Sequence, residues 1–587
     1  MFAIFFPEHH RQSPEVLKSK LVASGLECLY QDGASVIGRV PRDPQANIQY
    51  LPTETPHTFF LKEGQVFNFS PLQATDFERY GLALADKIRG QCQWLAWDKT
   101  RRTLCISQTL SCPRHVYYYR DHSGLCYLAT RMPLLKKILQ QSTSQALTLN
   151  LKRITDLLTL SESLDDAGYY QGVFVLKSSD ILQWAQGQFS KEVYWHAEAV
   201  KPLNWAHREA YYEAFREKFA GVISPMLSLG GIASDLSGGL DSSSVSAMAA
   251  RLLLKEGRRL DALGAVPSEE LDLPERKNWN ADDRVLMKAM AHHAPNIDLH
   301  WILEKDFDLT HVKLARFCVE QGDGPVRNPL NMGWFTGRYD FCKRHHRALL
   351  LSGASGNLTI SWKGQPSGYY LQMRARAGQL YRWLKQLGAP NQHWYQDYSL
   401  VNPHAVKQFG VKAPLHTGPF WQASHAYGVD LTLKLWAQLG GAVSALDGVH
   451  DCISYDPTAS REMIEFALSV PSWVYTHQGW NRVLIREGMG DLLPDMIRWN
   501  KTRGEQHPGW FWELKASQSY YLERLKYWKQ QEQVGQLIDL DRVEKTLHAL
   551  SHIDPYQIDP SQLIYDYRLK LGRALHIADW IALHDER

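Results

Sequence analysis

The eight cysteines (Cys28, Cys92, Cys105, Cys112, Cys126, Cys318, Cys342 and Cys452) form no CxxC pair and keep no regular spacing. That argues against a disulfide framework or a zinc site, and the thiols read as buried groups of a reducing, cytoplasmic compartment. No run approaches the roughly 18 apolar residues that a membrane span needs. No basic segment precedes the short apolar start at residues 1–6, which reads as a first strand and not as a signal peptide. Low-complexity tracts and internal repeats are missing too. A formal net charge of +3 over 587 residues gives no field for non-specific capture of nucleic acid or anionic membrane, so a small or peptide substrate fits better.

What is present suffices for two or three domains, at a hydrophobic fraction of 44%. Up to about residue 195, short apolar stretches such as Ala34-Ser-Val-Ile-Gly, Val116-Tyr-Tyr-Tyr, Leu125-Cys-Tyr-Leu-Ala and Gly172-Val-Phe-Val-Leu alternate with turn signals, which predicts a β-rich first domain. The character changes near Tyr194-Trp195. A helical pattern at 205–219 is followed by a strand at 232–236, further strand candidates at Leu260-Asp-Ala-Leu-Gly-Ala-Val266 and Ala348-Leu-Leu-Leu351, and a helix at 281–293. That order predicts a parallel sheet with crossovers. From about residue 374 long amphipathic stretches dominate.

The strongest chemical signal is Leu236-Ser-Gly-Gly-Leu-Asp-Ser-Ser-Ser244, where a strand ends and a small-residue helix (245–254) begins. Gly238 and Gly239 let backbone N–H groups approach phosphate oxygens, the helix N-terminus adds partial positive charge, and Ser237, Ser242 and Ser243 add hydroxyls. A Walker loop needs GxxxxGK[ST], and no such lysine stands here, so the usual machinery for cleaving ATP between its β and γ phosphorus atoms is missing. Asp241 would repel phosphate unless a divalent cation bridges them, which assigns it to Mg²⁺. The plain alternative is a serine- and glycine-rich turn that caps a helix.

This motif resembles the pyrophosphate loop of ATP pyrophosphatases, in a setting similar to the asparagine synthetase family. Leu351-Ser-Gly-Ala-Ser-Gly-Asn357 is similar to the second nucleotide loop of that family. Asp456-Pro-Thr-Ala-Ser-Arg-Glu and Arg482-Val-Leu-Ile-Arg486 followed by Leu493-Pro-Asp-Met-Ile-Arg-Trp-Asn-Lys501 resemble its later segments, the last ending in its catalytic lysine. The resemblance implies an α+β, Ntn-glutaminase-like first domain over 1–200 and an α/β, adenine-nucleotide α-hydrolase-like synthetase domain with a helical C-terminal part over 201–587. It implies ATP and Mg²⁺ as cofactors, and nucleotide contacts at Leu236, Ser237, Gly238, Gly239, Asp241, Ser242, Ser243, Val266, Ser352 and Gly353. Metal contacts fall on Asp241 and Asn357, and catalytic roles on Asp241 and Lys501.

Glutamine-dependent members use an N-terminal cysteine exposed after Met removal, and here that place holds Phe2. A phenyl ring cannot attack an amide, so the first domain reads as an inactive scaffold and the amine must come from elsewhere. Asn357-Leu-Thr-Ile-Ser-Trp362, Arg327-Asn-Pro-Leu-Asn331 and Lys501-Thr-Arg-Gly-Glu-Gln506 resemble the lasso-peptide macrocyclases. That implies adenylation of an Asp or Glu side chain of a precursor core peptide and closure on its N-terminal amine, alongside a leader peptidase and a leader-recognition protein. An ammonia-dependent asparagine synthetase, a β-lactam synthetase and a non-catalytic nucleotide-binding scaffold remain as alternatives. Aromatic stretches at 393–398 and 507–512 are either a peptide pocket or core packing. The His pairs at 9–10, 292–293 and 345–346 lack metal spacing and read as surface residues. Asp282 and Asp283 favour a helix dipole or stand near the nucleotide.

Overall fold

Alternating apolar residues in the first 195 positions have to be buried on two faces, and the fold does this with two stacked sheets. In the computed structural model, the described residues are 1–587 without 7–12, 44–45, 48–49, 111, 144–146, 162–164, 272, 274–278, 305–306, 308, 366–376, 378–393, 413–423, 440 and 586–587. One antiparallel sheet has the strand order Val173–Val175, Tyr117–Arg120, Cys126–Ala129, Phe2–Phe5, Ser35–Arg39, Glu27–Gln31. The other runs Gln188–Val193, Asp180–Ala185, Thr103–Gln108, Gly90–Asp98, Thr58–Val66, Tyr50–Glu54. Strand Phe2–Phe5 shows how period-two alternation builds the layers. Ala3 and Phe5 face the second sheet, where Phe5 stacks on Trp184 at 5.0 Å. Phe2 and Ile4 face the opposite way, toward helices that include Pro14–Ala23 and Met132–Thr143. The outer face of the second sheet is covered by helix Ala74–Tyr80. The first part of the chain is therefore layered helix, sheet, sheet, helix.

The expected crossovers follow. Five parallel strands stand in the order Ile297–Ile302, Leu260–Ala265, Ile232–Asp235, Leu349–Leu351, Ile453–Tyr455. The chain starts in the middle, winds two strands to one side, then returns and winds two to the other. The direction changes between Ile232–Asp235 and Leu349–Leu351, and a crevice for a ligand opens beyond the carboxyl ends of strands at such a switch point. Helix Arg208–Ile223 takes 208–219 of the helix expected at 205–219 and runs four residues further, and Arg284–His293 takes most of 281–293.

Helices after residue 500 pack on the first part of the chain as well as on helix His311–Glu320. One continuous apolar core joins Phe2, Tyr127 and Leu158 to Trp510, Trp528 and Trp580. Buried Arg573 donates to the carbonyls of Leu158, Tyr398 and Arg327. Of the aromatic stretches, Tyr395, Trp510 and Phe511 are core residues, and His393 lies outside the described residues. Seven of the eight cysteines are buried and Cys28 is half-buried, all as free thiols. The pairs 292–293 and 345–346 are exposed, and 9–10 lie outside the described residues. No helix among the described residues is long and apolar enough to cross a membrane.

Candidate active site

Both glycine loops leave the two central strands at the switch point. After strand Ile232–Asp235 the chain turns through 236–239 into helix Leu240–Leu254, with Gly239 as its N-cap. The helix begins at Leu240, five residues before the sequence-based expectation of 245, because its first turn is made of Asp241, Ser242 and Ser243, residues that favour caps and turns. The N–H groups of Leu240, Asp241 and Ser242 open the helix without intrahelical partners, the arrangement that attracts phosphate, while Ser243 N–H already donates to the Gly239 carbonyl at 3.3 Å.

The serine hydroxyls tie the turn together. Ser237 N–H donates to Ser242 Oγ at 3.1 Å, the two hydroxyls lie 2.7 Å apart, and Ser243 Oγ donates to the Ser237 carbonyl at 2.8 Å. Leu236 and Val266 end their strands with buried side chains, and Leu236 N–H donates to the Leu263 carbonyl at 2.9 Å. Asp283, left by the sequence between a dipole role and a place near the nucleotide, stands at the N-cap of helix Arg284–His293 and also reaches the first glycine loop. Asp283 Oδ2 accepts from Gly238 N–H at 3.1 Å, and Asn280 holds its other oxygen at 2.7 Å. Burial raises this carboxyl above its ordinary range.

The second loop, 352–357, presses on the first. A Cβ on Gly353 would lie 2.8 Å from Asp241 C and Ser242 N, and one on Gly356 would lie 2.2 Å from Asp241 Oδ1. Glycine is required at both positions by close approach. Ser352 N–H donates to the Tyr455 carbonyl at 2.9 Å, and Ser355 N–H to Asp456 Oδ2 at 2.8 Å. The loops meet over Asp241. Its Oδ1 is shut from solvent and accepts no hydrogen bond from the described residues. Burial pushes this carboxyl up to about 6, against the pull of the Ser361 hydroxyl and Arg482 and with a small push from Asp456.

Asn357, expected to help hold Mg²⁺, accepts a hydrogen bond from Arg482 Nη2 at 2.7 Å. Arg482 follows the hairpin strand Trp480–Asn481 and opens helix Val483–Gly488 with φ of 59°. The sequence pointed to the segment but not to this contact. Lys501 is exposed, with its ammonium 4.7 Å from the centre of the Trp480 ring. Trp480 and Trp499 are 4.9 Å apart, and Arg486 lies over both. Strand Arg503–Gly504 pairs with Trp279–Asn280, and a Cβ on Gly504 would meet Asp283 Oδ2 at 2.1 Å. The lysine segment is thereby pinned beside the carboxylate that shapes the phosphate loop. Trp480 carried no signal in the sequence beyond being one of 20 tryptophans. In the motif 357–362, Trp362 lies parallel to His425 at 3.9 Å and Ser361 stands at Asp241. A small cleft of about 30 Å³ lies elsewhere, bordered by His115, Tyr117, Arg153, Asp323 and Lys434, and none of the glycine-loop residues lines it.

A family model described as Asparagine synthase matches residues 216–428, a stretch that contains both glycine loops. That match indicates an ATP-dependent ligase. No curated protein matches the chain by sequence. Among solved structures, the allosteric regulatory enzyme of purine biosynthesis is similar at 10% identity and a TM-score of 0.21, over 51% of this chain and 80% of that one, a likeness too slight to support an argument.

Proposed function

We propose that the chain activates a peptide carboxylate by attack on the α-phosphorus of ATP and transfers the resulting acyl-adenylate to an amine of the same peptide. The observation that carries this reading is the convergence of two glycine loops on a buried, unpartnered carboxylate oxygen of Asp241 at the head of the parallel sheet. A phosphate loop without a lysine, opening a helix, grips pyrophosphate as a leaving group. An orphaned carboxylate oxygen fits a cation, and Asp241 with few other protein ligands suits Mg²⁺, which keeps waters and phosphate oxygens in its shell. When bound, that ion would neutralise charge on the departing pyrophosphate.

The chain's own groups do the rest. The first-turn N–H groups hold the phosphates, and Asp283 keeps Gly238 in place. Lys501, steadied on Trp480, swings onto the nucleotide to offset charge at the α-phosphorus and later at the tetrahedral oxyanion, a contribution of about 3 kcal/mol for one donor. The four-layered first part serves as an inactive, glutaminase-derived scaffold. Phe2 is wholly buried with its ring against Gly38, and burial raises the Cys28 thiol above its ordinary value, so neither supplies an activated thiolate.

The resemblance of 357–362 to the lasso-peptide macrocyclases supports an Asp or Glu side chain as the acyl group and the peptide's N-terminal amine as nucleophile, giving a macrolactam with AMP and pyrophosphate released. A leader peptidase and a leader-recognition protein would then be its partners. The test is incubation with ATP, Mg²⁺ and a precursor peptide from a neighbouring reading frame, followed by mass spectrometry. Loss of one water with AMP formed is expected. ADP in place of AMP overturns the loop assignment, and amidation of free aspartate by ammonium favours an asparagine synthetase. Absence of pyrophosphate exchange into ATP with any carboxylate leaves a nucleotide-binding scaffold.

A further inference from the structure

Asn357 follows directly on Gly356, whose backbone abuts the Asp241 carboxylate. What binds it is Arg482, through the amide oxygen at 2.7 Å, and the same guanidinium acts electrostatically on Asp241. Oδ1 is the only metal-binding atom an asparagine side chain offers. A guanidinium at hydrogen-bond distance from that oxygen occupies one of its two lone pairs and repels a dication brought to the other. Among the described residues no group of three or more His, Cys, Asp or Glu side chains stands ready to hold a metal ion. Arg482 also holds a left-handed φ of 59°, which costs a non-glycine residue roughly 1 kcal/mol and is retained where surrounding structure fixes it.

We infer that Arg482, docked on Asn357, is a fixed positive charge of the nucleotide site, and that the site takes one divalent ion, on the Asp241 side, with the guanidinium standing where a second ion would bind. This deepens the adenylating reading and rests on it. The guanidinium presents a planar fork to two phosphate oxygens, so it both anchors pyrophosphate and excludes the ion. The Asn at 357 then has a reason of its own: an Asp there would attract the second dication that Arg482 replaces.

The experiment counts ions. Wild type, R482Q, R482K and the N357D/R482Q double variant are loaded with α,β-methylene-ATP and Mn²⁺, and bound Mn²⁺ per bound nucleotide is measured by electron paramagnetic resonance. Wild type should bind one Mn²⁺ per nucleotide and the double variant two. R482Q should weaken analogue binding about 30-fold, converted from the ~2 kcal/mol of a charge-assisted hydrogen bond, and R482K should recover most of it. Two Mn²⁺ in wild type, or one in the double variant, overturns the inference while leaving the adenylating reading intact. A wild type that binds no analogue overturns both. A melting curve of each variant separates lost binding from lost fold.

Discussion

Two carboxylates show how this molecule treats buried charge in its nucleotide crevice and in its C-terminal helices. Glu513, on helix Trp510–Ala516, lies 3.4 Å from His311 Nδ1 and 3.3 Å from His507 Nε2. Burial alone would raise its pKa, but those two imidazoles hold the carboxyl down at about 2. Asp241 is buried with only the Ser361 hydroxyl and Arg482 acting against that burial and with Oδ1 accepting no hydrogen bond from the described residues, and burial carries it up to about 6. A carboxylate with its partners supplied by the fold is part of the scaffold. One left without them is an uncompensated cost in the free protein that a ligand removes, and that distinction marks the site better than any count of acidic residues.

The largest effect expected from this contrast is in Asp241→Asn. Pyrophosphate exchange into ATP should fall by about 10³-fold, in line with loss of a main electrostatic contributor. Stability of the free protein should change in the opposite direction. The folded pKa of Asp241 is raised above its unfolded value near 3.9, so its contribution is favourable below that range and is lost as pH rises through about 6. At pH 7 the Asn variant should therefore be more stable, by up to about 3 kcal/mol, since each tenfold change in proton affinity on folding is equivalent to about 1.4 kcal/mol. A melting point at pH 7 that drops instead would show that Asp241 has a structural partner after all.

Glu513→Gln sharpens the other side. Its folded pKa is depressed, so its stabilisation is present above the unfolded value near 4.3 and is lost as pH falls toward about 2. Urea unfolding at pH 7 should show a loss of about 2 kcal/mol, shrinking as pH approaches 3, while the KM for ATP stays within about twofold. If nucleotide binding fails in a variant that remains folded, the C-terminal helices are part of the site and the contrast breaks.

How much of this was readable from residues alone follows the same division. The strand, turn and helix around the first glycine loop were legible because glycines, serines and an acid in one order meet that local requirement. Three of the five parallel strands were legible as short apolar runs, whereas Ile297–Ile302 and Ile453–Tyr455 were not singled out, and the β-rich beginning was legible in its alternation. What escaped was set by distant pairings. The helix start at Leu240 depends on serines 237, 242 and 243 satisfying one another. Asp283 reaches Gly238 across 45 positions, and Arg482 reaches Asn357 across 125. Trp480 matters only because hairpin and helix bring it under Lys501. The core shared by Phe2 and Trp580 joins the two ends of the chain, and no local pattern announces it.

Close approach of the two loops supplies a further test. Gly356→Ala places a methyl 2.2 Å from Asp241 Oδ1, 2.4 Å from its Cγ and 2.7 Å from its Cβ, so the whole short Asp241 side chain has to give way. Exchange activity should drop by about 10²-fold, since displacement of a site by about 1 Å carries a cost of that order. Gly535→Ala is the control, because nothing lies within 4 Å of the added carbon there, and its activity should match wild type. Equal activity in both variants would mean that the loops separate when nucleotide binds.

The smallest effect is expected at Trp480. Its ring carries the Lys501 ammonium on one contact and Arg486 on another, and cation–π contacts of this kind contribute about 0.5–2 kcal/mol. Trp480→Leu keeps bulk in the hairpin but removes the π face, so the lysine segment loses its rest position beside Asp283 without losing its charge. The exchange rate should fall roughly fivefold to tenfold through kcat, with the KM for ATP nearly unchanged, because the nucleotide is held by the loops while the lysine acts on the reacting phosphorus. Trp480→Phe, which retains a π face, should restore most of the rate. A Phe variant as slow as Leu would assign Trp480 to packing against Trp499, and Lys501 would then reach the nucleotide independently of the aromatic pair.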